Sequence, residues 1–371
     1  MKTLNGIDNT EALGILKGKK LGLITNPTGM NAHLRSTAEI LKADYDLRVV
    51  YGPEHGIRGD QQAGIGVPQP DFDHELGVRC FSLYGKTRRP TPEMLDDIEM
   101  MVYDIQDVGA RFYTYIYTLA YAMEECAKAG IPVTVLDRVN PLGGDIVEGI
   151  LLNPALHSFV GEYPIPTRYG LTVGEYARHI NDTQHLGCEL HIVPCLGWHR
   201  DMLYDETRLP WIMPSPNIPT LETALVYIGT CLFEGTDLSE GRGTTHPFEL
   251  IGAPQLDATR LAKELNALQL PGLLWRAAHF TPTFSKHQGE LCHGVQLHIM
   301  DRNHFRPFEA GLCLLDAIRR QYPDIQMNNA LDKLLGDTTY RAGEETIQEL
   351  IDRAHAQSTA FQKESREYWL Y

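Results

Sequence analysis

The chain of 371 residues is long enough for two domains of ordinary size. An apolar fraction of 43% supports sizeable cores and excludes an intrinsically disordered chain. A formal charge of −15 argues against nucleic acid as a partner, and an anionic small ligand would need a local group of arginines to overcome that field.

Residues 21–25 read as a strand, and the capping box Ser36-x-x-Glu39 opens a helix over 36–43. Residues 47–50 form a second strand and 79–83 a third. Thr91 as N-cap and Pro92 at the first helical position start a short helix, followed by a strand over 100–105. A helix over 110–129 carries Phe112, Ile116, Leu119, Ala120, Met123 and Ala127 on one stripe and stops at Gly130. A strand over 132–136 comes next. A second capping box, Thr172-x-x-Glu175, opens a helix to about residue 185, and 189–193 is a strand. Strands spaced by helices imply βαβ units and a largely parallel sheet, hence an α/β fold.

The second half changes character. Asn217 sits in the rigid loop Ser215-Pro-Asn-Ile-Pro219, and Thr220 caps a helix after it. Asp257 caps another, bearing Leu261, Leu265 and Leu268. Residues 292–300 alternate as a half-exposed strand, with Val295, Leu297 and Ile299 on one face. Helices follow Pro307 and span about 346–360. A boundary near residue 228 gives two expected units, 1–228 and 229–371. Seven cysteines without C-x-x-C spacing provide neither a disulfide framework nor a zinc signature, and the histidines lack metal spacing. No metal or cofactor is expected. No run approaches a membrane span, and residues 1–20 lack a signal-peptide core, so the expectation is a cytosolic protein, exported if a leader precedes it.

In open α/β sheets, ligands bind outside the carboxyl ends of the strands. Asn26-Pro-Thr-Gly29 follows the first strand here, and Glu54-His55-Gly-Ile-Arg58 the second. Gln106-Asp107-Val-Gly-Ala-Arg111 follows 100–105, and Asp137-Arg-Val-Asn140-Pro-Leu-Gly-Gly144 follows 132–136. Turn chemistry explains the Gly, Pro and Asn. It does not explain why Glu, Gln, Asp and Arg accumulate at one rim, which suits a polar ligand rich in hydroxyl and acetamido groups. Glu54 leads, with a solvated loop acid as its plain alternative. Asp104 and Asp107 come next, because glycoside hydrolysis uses two carboxyl groups. Asp104 fits a structural acid at a strand end as well, and Asp137-Arg138 reads as a local ion pair. Tyr113, Tyr115 and Tyr117, on the first turns of the helix, suit either sugar stacking or the core. In Glu240-Gly-Arg242-Gly-Thr244, the glycines permit close ligand approach, and successive amides can form an anion nest. Neither a P-loop nor a G-x-G-x-x-G fingerprint after a strand is present, so nucleotide binding has little support.

Five segments carry a resemblance: Gly22-Leu-Ile-Thr-Asn-Pro-Thr-Gly29, Gly52-Pro-Glu-His-Gly-Ile-Arg-Gly59, Asp104-Ile-Gln-Asp-Val-Gly-Ala-Arg-Phe-Tyr-Thr-Tyr115, Pro214-Ser-Pro-Asn-Ile-Pro-Thr220 and Gly229 to Thr245. Together they resemble the exo-β-N-acetylmuramidase family, from about residue 20 to the C-terminus. Val139 stands where the family pattern has Pro, and His246 where Arg is common. The resemblance implies a Rossmann-like N-terminal domain, a smaller C-terminal α/β domain and a cleft where they meet. It implies release of N-acetylmuramic acid from non-reducing ends of peptidoglycan fragments, with Glu54 as leading catalytic residue. A carbohydrate or muropeptide is thus the expected ligand, and a non-catalytic sugar-binding protein using the same cleft is the alternative. Arg242, then Arg111, are the expected partners of the lactyl carboxylate. A lone Glu with amide-binding neighbours favours attack by the substrate's own 2-acetamido group over a second enzyme carboxylate.

Overall fold

The computed structural model describes residues 2–59, 61 and 72–371. The first unit runs β1 (Lys20–Thr25), α1 (Thr37–Asp44), β2 (Asp46–Gly52), β3 (Phe72–Asp73), β4 (Val78–Ser82), α2 (Pro92–Leu95) and β5 (Met100–Asp104). It continues with α3 (Tyr115–Ala129), β6 (Val133–Leu136), α4 (Val173–Thr183) and β7 (Leu190–Val193). The strands order β3-β4-β2-β1-β5-β6-β7, parallel throughout except the β3–β4 pair. This is a mostly parallel α/β sheet, and the strand order reverses between β1 and β5.

The sheet is apolar on both faces, as parallel sheets must be when helices cover both sides. Leu21, Leu23, Val50 and Val102 face one way, onto Ala38, Ile40 and Leu41 of α1. Ile24, Val49, Tyr51, Met101 and Tyr103 face the other way, onto α3 and α4. Both expected capping boxes form: Ser36 with Glu39 at α1, and Thr172 with Glu175 at α4. The expected start of α3 is corrected. The helix begins at Tyr115, because Ala110 bridges Arg168 and the Arg111 amide donates to the Thr167 carbonyl at 2.8 Å, holding residues 110–114 in a turn outside the helix. Tyr113 therefore precedes the helix instead of riding its first turn.

The second part runs α5 (Leu221–Thr230), β8 (Leu250–Ala253), α6 (Ala258–Ala267), β9 (Leu273–Phe280), β10 (Cys292–Ile299), α7 (Pro307–Gln321), α8 (Asn329–Leu335), α9 (Thr339–Ala342) and α10 (Ile347–Glu364). Its three strands form a smaller antiparallel sheet in the order β8-β10-β9. Thr220 and Asp257 cap α5 and α6 through their side chains. Among the described residues, no helix is long and apolar enough to cross a membrane.

The chain leaves the first unit along α5, a packed helix with no flexible linker. One apolar cluster runs from the α3 side of the large sheet through α5 into α7. The α5–α7 crossing is close because glycine meets glycine. A Cβ on Gly229 would stand 2.0 Å from the Pro307 carbonyl oxygen and 3.0 Å from the Gly311 Cα. Gly229→Ala should therefore lower stability by about 1–3 kcal/mol through overpacking. Urea denaturation checks this: an unchanged midpoint would mean that the two helices part freely.

Candidate active site

Glu54 lies two residues beyond β2, nearly buried, and lines a pocket of about 580 Å³ that includes its open mouth. One wall comes from the first unit: Glu54, His55, Tyr113, Thr114, Ser215 and Asn217. The other comes from beyond residue 225: Tyr227, Glu234, Arg242 and Phe248. Aromatic rings floor it edge to face. Tyr113 meets Tyr115 at 5.0 Å and Tyr227 at 6.0 Å, and Tyr227 meets Phe248 at 4.6 Å. Carboxyl, amide and hydroxyl groups share the lining with these rings.

The Glu54 carboxylate is positioned by hydroxyls. Thr114 donates to Glu54 Oε2 at 2.7 Å. Thr114 is also the N-cap residue of α3, yet its side chain caps no helix amide. A threonine at that position ordinarily accepts from the first turn; here the hydroxyl serves the acid. Tyr84, past the end of β4, contacts Glu54 as well. Burial first, and the Glu54 carboxylate second, push its phenol up to about 12. Beside Glu54, His55 takes a left-handed backbone with φ 69°, which a non-glycine residue adopts at a cost. Its Nδ1 lies 2.6 Å from the Gln61 carbonyl oxygen. A carbonyl only accepts, so Nδ1 carries the hydrogen and Nε2 is left for other partners.

Arg242 enters the pocket already paired. Nη2 meets Glu234 Oε1 at 2.5 Å, Nε meets Glu240 Oε1 at 3.3 Å, and the guanidinium lies 5.1 Å over the Phe248 ring. Burial works against this charge, and the two carboxylates hold its pKa above the ordinary value. Glu240 lies buried behind the pocket and is shared with Lys286 at 3.1 Å. Thr244 turns its hydroxyl back to the Gly241 carbonyl and does not line the pocket.

Several expected site residues serve the scaffold instead. Asp104 is fully buried and grips Arg138, Nε to Oδ1 at 2.5 Å and Nη2 to Oδ2 at 3.0 Å, while Thr37 donates to it as well. With both oxygens engaged and no pocket exposure, Asp104 is corrected from catalytic candidate to buried ion-pair partner. The Asp137–Arg138 pair gives way for the same reason: Asp137 instead accepts from Thr172, Gly174 and Tyr371. Asp107 accepts from the Gly109 amide at 2.6 Å and from Tyr169, and burial raises it to about 6; it too lies outside the pocket lining.

Arg111 is completely buried and donates to the carbonyls of Ile150, Ile165 and Leu334, so it cannot receive a ligand. Arg58 points away, pairing with Asp73 at 3.2 Å and Glu75 at 2.8 Å. Asn26 accepts from the Thr28 amide and hydroxyl, and Asn140 spans Leu142 and Leu171; both brace turns. Gln106 faces a separate small cavity with Asn5, Thr28 and Arg138. Glu54, His55, Tyr113, Asn217 and Arg242 are thus the expected residues that the fold brings together. Thr114, Tyr84, Ser215, Glu234 and Tyr227 were missed as site residues. Extending the strand-end rule to β4 would have found Tyr84, and Glu234 opens the dense polar stretch that contains Arg242.

This geometry defines a two-unit α/β protein with a carboxyl-bearing, ring-lined cleft between its parts. Residues 21–222 match the family described as exo-β-N-acetylmuramidase NamZ, N-terminal, and residues 225–371 match its C-terminal counterpart. The chain belongs to this family. It is 49% identical over 364 residues to peptidoglycan β-N-acetylmuramidase NamZ of Bacillus subtilis (strain 168), covering 96% of this chain and 88% of that protein. Two crystal structures of DUF1343 family proteins from Bacteroides fragilis share the fold. One superposes with TM-score 0.93 at 38% identity and the other with 0.81 at 28%, each covering 100% of this chain and 99% of its own.

The placement of Asp104 yields a test. Asp104→Asn leaves the Arg138 charge buried without its partner, which costs roughly 3–5 kcal/mol. The loss should appear as a large fall in the urea midpoint, with turnover per folded molecule retained. A stable variant that folds normally and has no turnover would return Asp104 to the catalytic machinery.

Proposed function

We propose that this protein is an exo-β-N-acetylmuramidase that releases N-acetylmuramic acid from non-reducing ends of peptidoglycan fragments, with Glu54 as general acid. The observation that carries this reading is the seating of Glu54. A nearly buried carboxyl, anchored by the Thr114 hydroxyl, stands at the edge of a ring-floored pocket formed by both units. Protonated, such a group can hand its proton to a departing glycosidic oxygen and keep its orientation afterwards. The B. subtilis relative named above adds the substrate class. Division of the chain near residue 228 places the acid on the larger unit and the Arg242 wall on the smaller one.

With Asp104 and Asp107 occupied in the scaffold, the pocket offers no carboxylate from either beside Glu54. Glu234 is present there, bound to Arg242. The reading that follows is attack on the anomeric carbon by the substrate's own 2-acetamido oxygen. Glu54 protonates the leaving group, and pocket-edge groups such as Asn217 orient the amide.

Incubation with a chromogenic β-N-acetylmuraminide beside the corresponding glucosaminide tests the activity directly. Glu54→Gln should lower kcat on the muraminide by roughly 10²–10⁴-fold, because an amide cannot supply the proton. Wild-type kcat in a folded Glu54→Gln protein would sink the assignment. Replacing the acetamido group of the substrate by hydroxyl should abolish cleavage. If such an analogue is still cleaved and Glu234→Gln stops it, an enzyme carboxylate has taken that role.

A further inference from the structure

Arg88 stands in the loop that follows β4, at the same carboxyl-end rim as Glu54. Its guanidinium lies 4.0 Å over the Phe159 ring and 5.6 Å from the Tyr84 ring centre. Tyr84 and Phe159 are themselves in contact, with ring centres 5.7 Å apart. Phe159 belongs to a tight turn closed by the reciprocal Ser158–Gly161 backbone bonds, and its neighbour Val160 lines the Glu54 pocket. The Tyr84 hydroxyl interacts with both the Glu54 carboxylate and Arg88. Arg88 is therefore one tyrosine away from the proposed general acid.

The other arginines near the cleft are committed. Arg242 is held by Glu234 and Glu240, Arg89 by Glu124 and Glu125, and Arg111 by three carbonyls. Arg88 differs: among the described residues it pairs with no carboxylate, and it is exposed with its planar face laid on aromatic rings. Stacking fixes the plane of a guanidinium, and the donors that the Tyr84 hydroxyl does not use remain for an anion. In a chain of net charge −15, a cation stacked beside the pocket is what an anionic sugar requires.

We infer that Arg88, seated on Phe159 and Tyr84, binds the lactyl carboxylate of the muramic residue and selects acidic over neutral N-acetylhexosaminides. The inference rests on the muramidase reading above. The lactyl ether is at C3 of the same ring whose C1 carries the scissile bond, so the carboxylate and the acid are met by groups within one sugar ring of each other, as Arg88 and Glu54 are through Tyr84. Tyr84 links the two contacts: its hydroxyl touches the acid, and its ring supports the cation. Arg242 has Nη2 and Nε taken up by Glu234 and Glu240, and its charge is offset by both carboxylates.

The test compares a chromogenic β-N-acetylmuraminide with its lactyl methyl ester, which keeps the ring and the acetamido group but loses the charge. The wild type should prefer the acid by roughly 10-fold or more in kcat/KM, since a hydrogen bond to a charged group is worth about 1.5–3 kcal/mol. In Arg88→Met, which preserves the apolar stem over the rings, that preference should collapse toward unity through KM. Arg88→Lys should retain part of it. A preference that survives in Arg88→Met, or that is lost in Arg242→Gln and kept in Arg88→Met, overturns the inference while leaving the enzyme a muramidase. A wild type with equal rates on acid and ester also overturns it. A wild type that cleaves neither compound refutes the functional reading itself.

Discussion

A buried guanidinium organises this protein. Arg111 carries five donors and no acceptor, and it is sealed from solvent with only backbone carbonyls for company: Ile150, Ile165 and, 223 residues away, Leu334. Burial lowers it to about 10, so it remains charged near neutral pH. A desolvated cation without a carboxylate is tolerable only if every carbonyl arrives together. Gly336 shows how tightly they converge: its φ is 86°, and a Cβ there would stand 2.7 Å from the guanidinium. Arg111 therefore fastens the end of α8 to the loop that carries Tyr113 and Thr114. That clasp adds to the apolar cluster that already joins the wall bearing the proposed acid to the wall bearing Arg242.

The site itself is assembled by withholding local stability. Thr114 gives up its capping bond to hold Glu54, and His55 accepts a left-handed backbone so that the chain can turn back beneath it. Each departure costs on the order of 1–2 kcal/mol, and each is supported by neighbours that the scaffold fixes: α3 behind Thr114, and the Gln61 carbonyl beside His55. Sequence rules fail at these points because they describe what a segment prefers alone, and here the segment is constrained by its function.

Local signals made the large sheet readable. Apolar runs of four to six residues, capping boxes and Gly130 each act within one turn or one strand, and the elements formed almost where those signals place them. Glu54 was legible by the same logic, as a carboxylate just past a buried strand. The errors have a common cause as well. Asp104, Asp107, Arg58 and Arg111 share the composition of site residues, but their partners are distant in sequence: Arg138, Tyr169, Asp73 and Leu334. A strand-end acid that meets a buried arginine is scaffold, and one that meets a threonine at a pocket edge is a candidate for chemistry. Nothing in either local sequence distinguishes them. Tyr84 and Arg88 follow β4, whose end carries none of the acids and amides that mark the other four strand ends.

Charge placement ties these pieces together. The chain is strongly acidic as a whole, yet its arginines are distributed by role. Arg138 and Arg111 stabilise the interior, Arg138 gripping Asp104 and the Met30 carbonyl and Arg111 donating from both Nη atoms to carbonyls. Arg242 is paired with two glutamates, which makes it a bridge across the smaller unit's wall. A sugar bearing a carboxylate would meet the field of a chain of net charge −15 unless a cation stood outside this balanced set. The exposed, ring-backed position of Arg88 supplies one at the rim, where desolvation is small and the charge is not already offset. Selectivity for the acidic sugar and protonation of its glycosidic oxygen would then be assigned to different strand ends, β4 and β2, adjacent in the sheet and coupled through a single tyrosine.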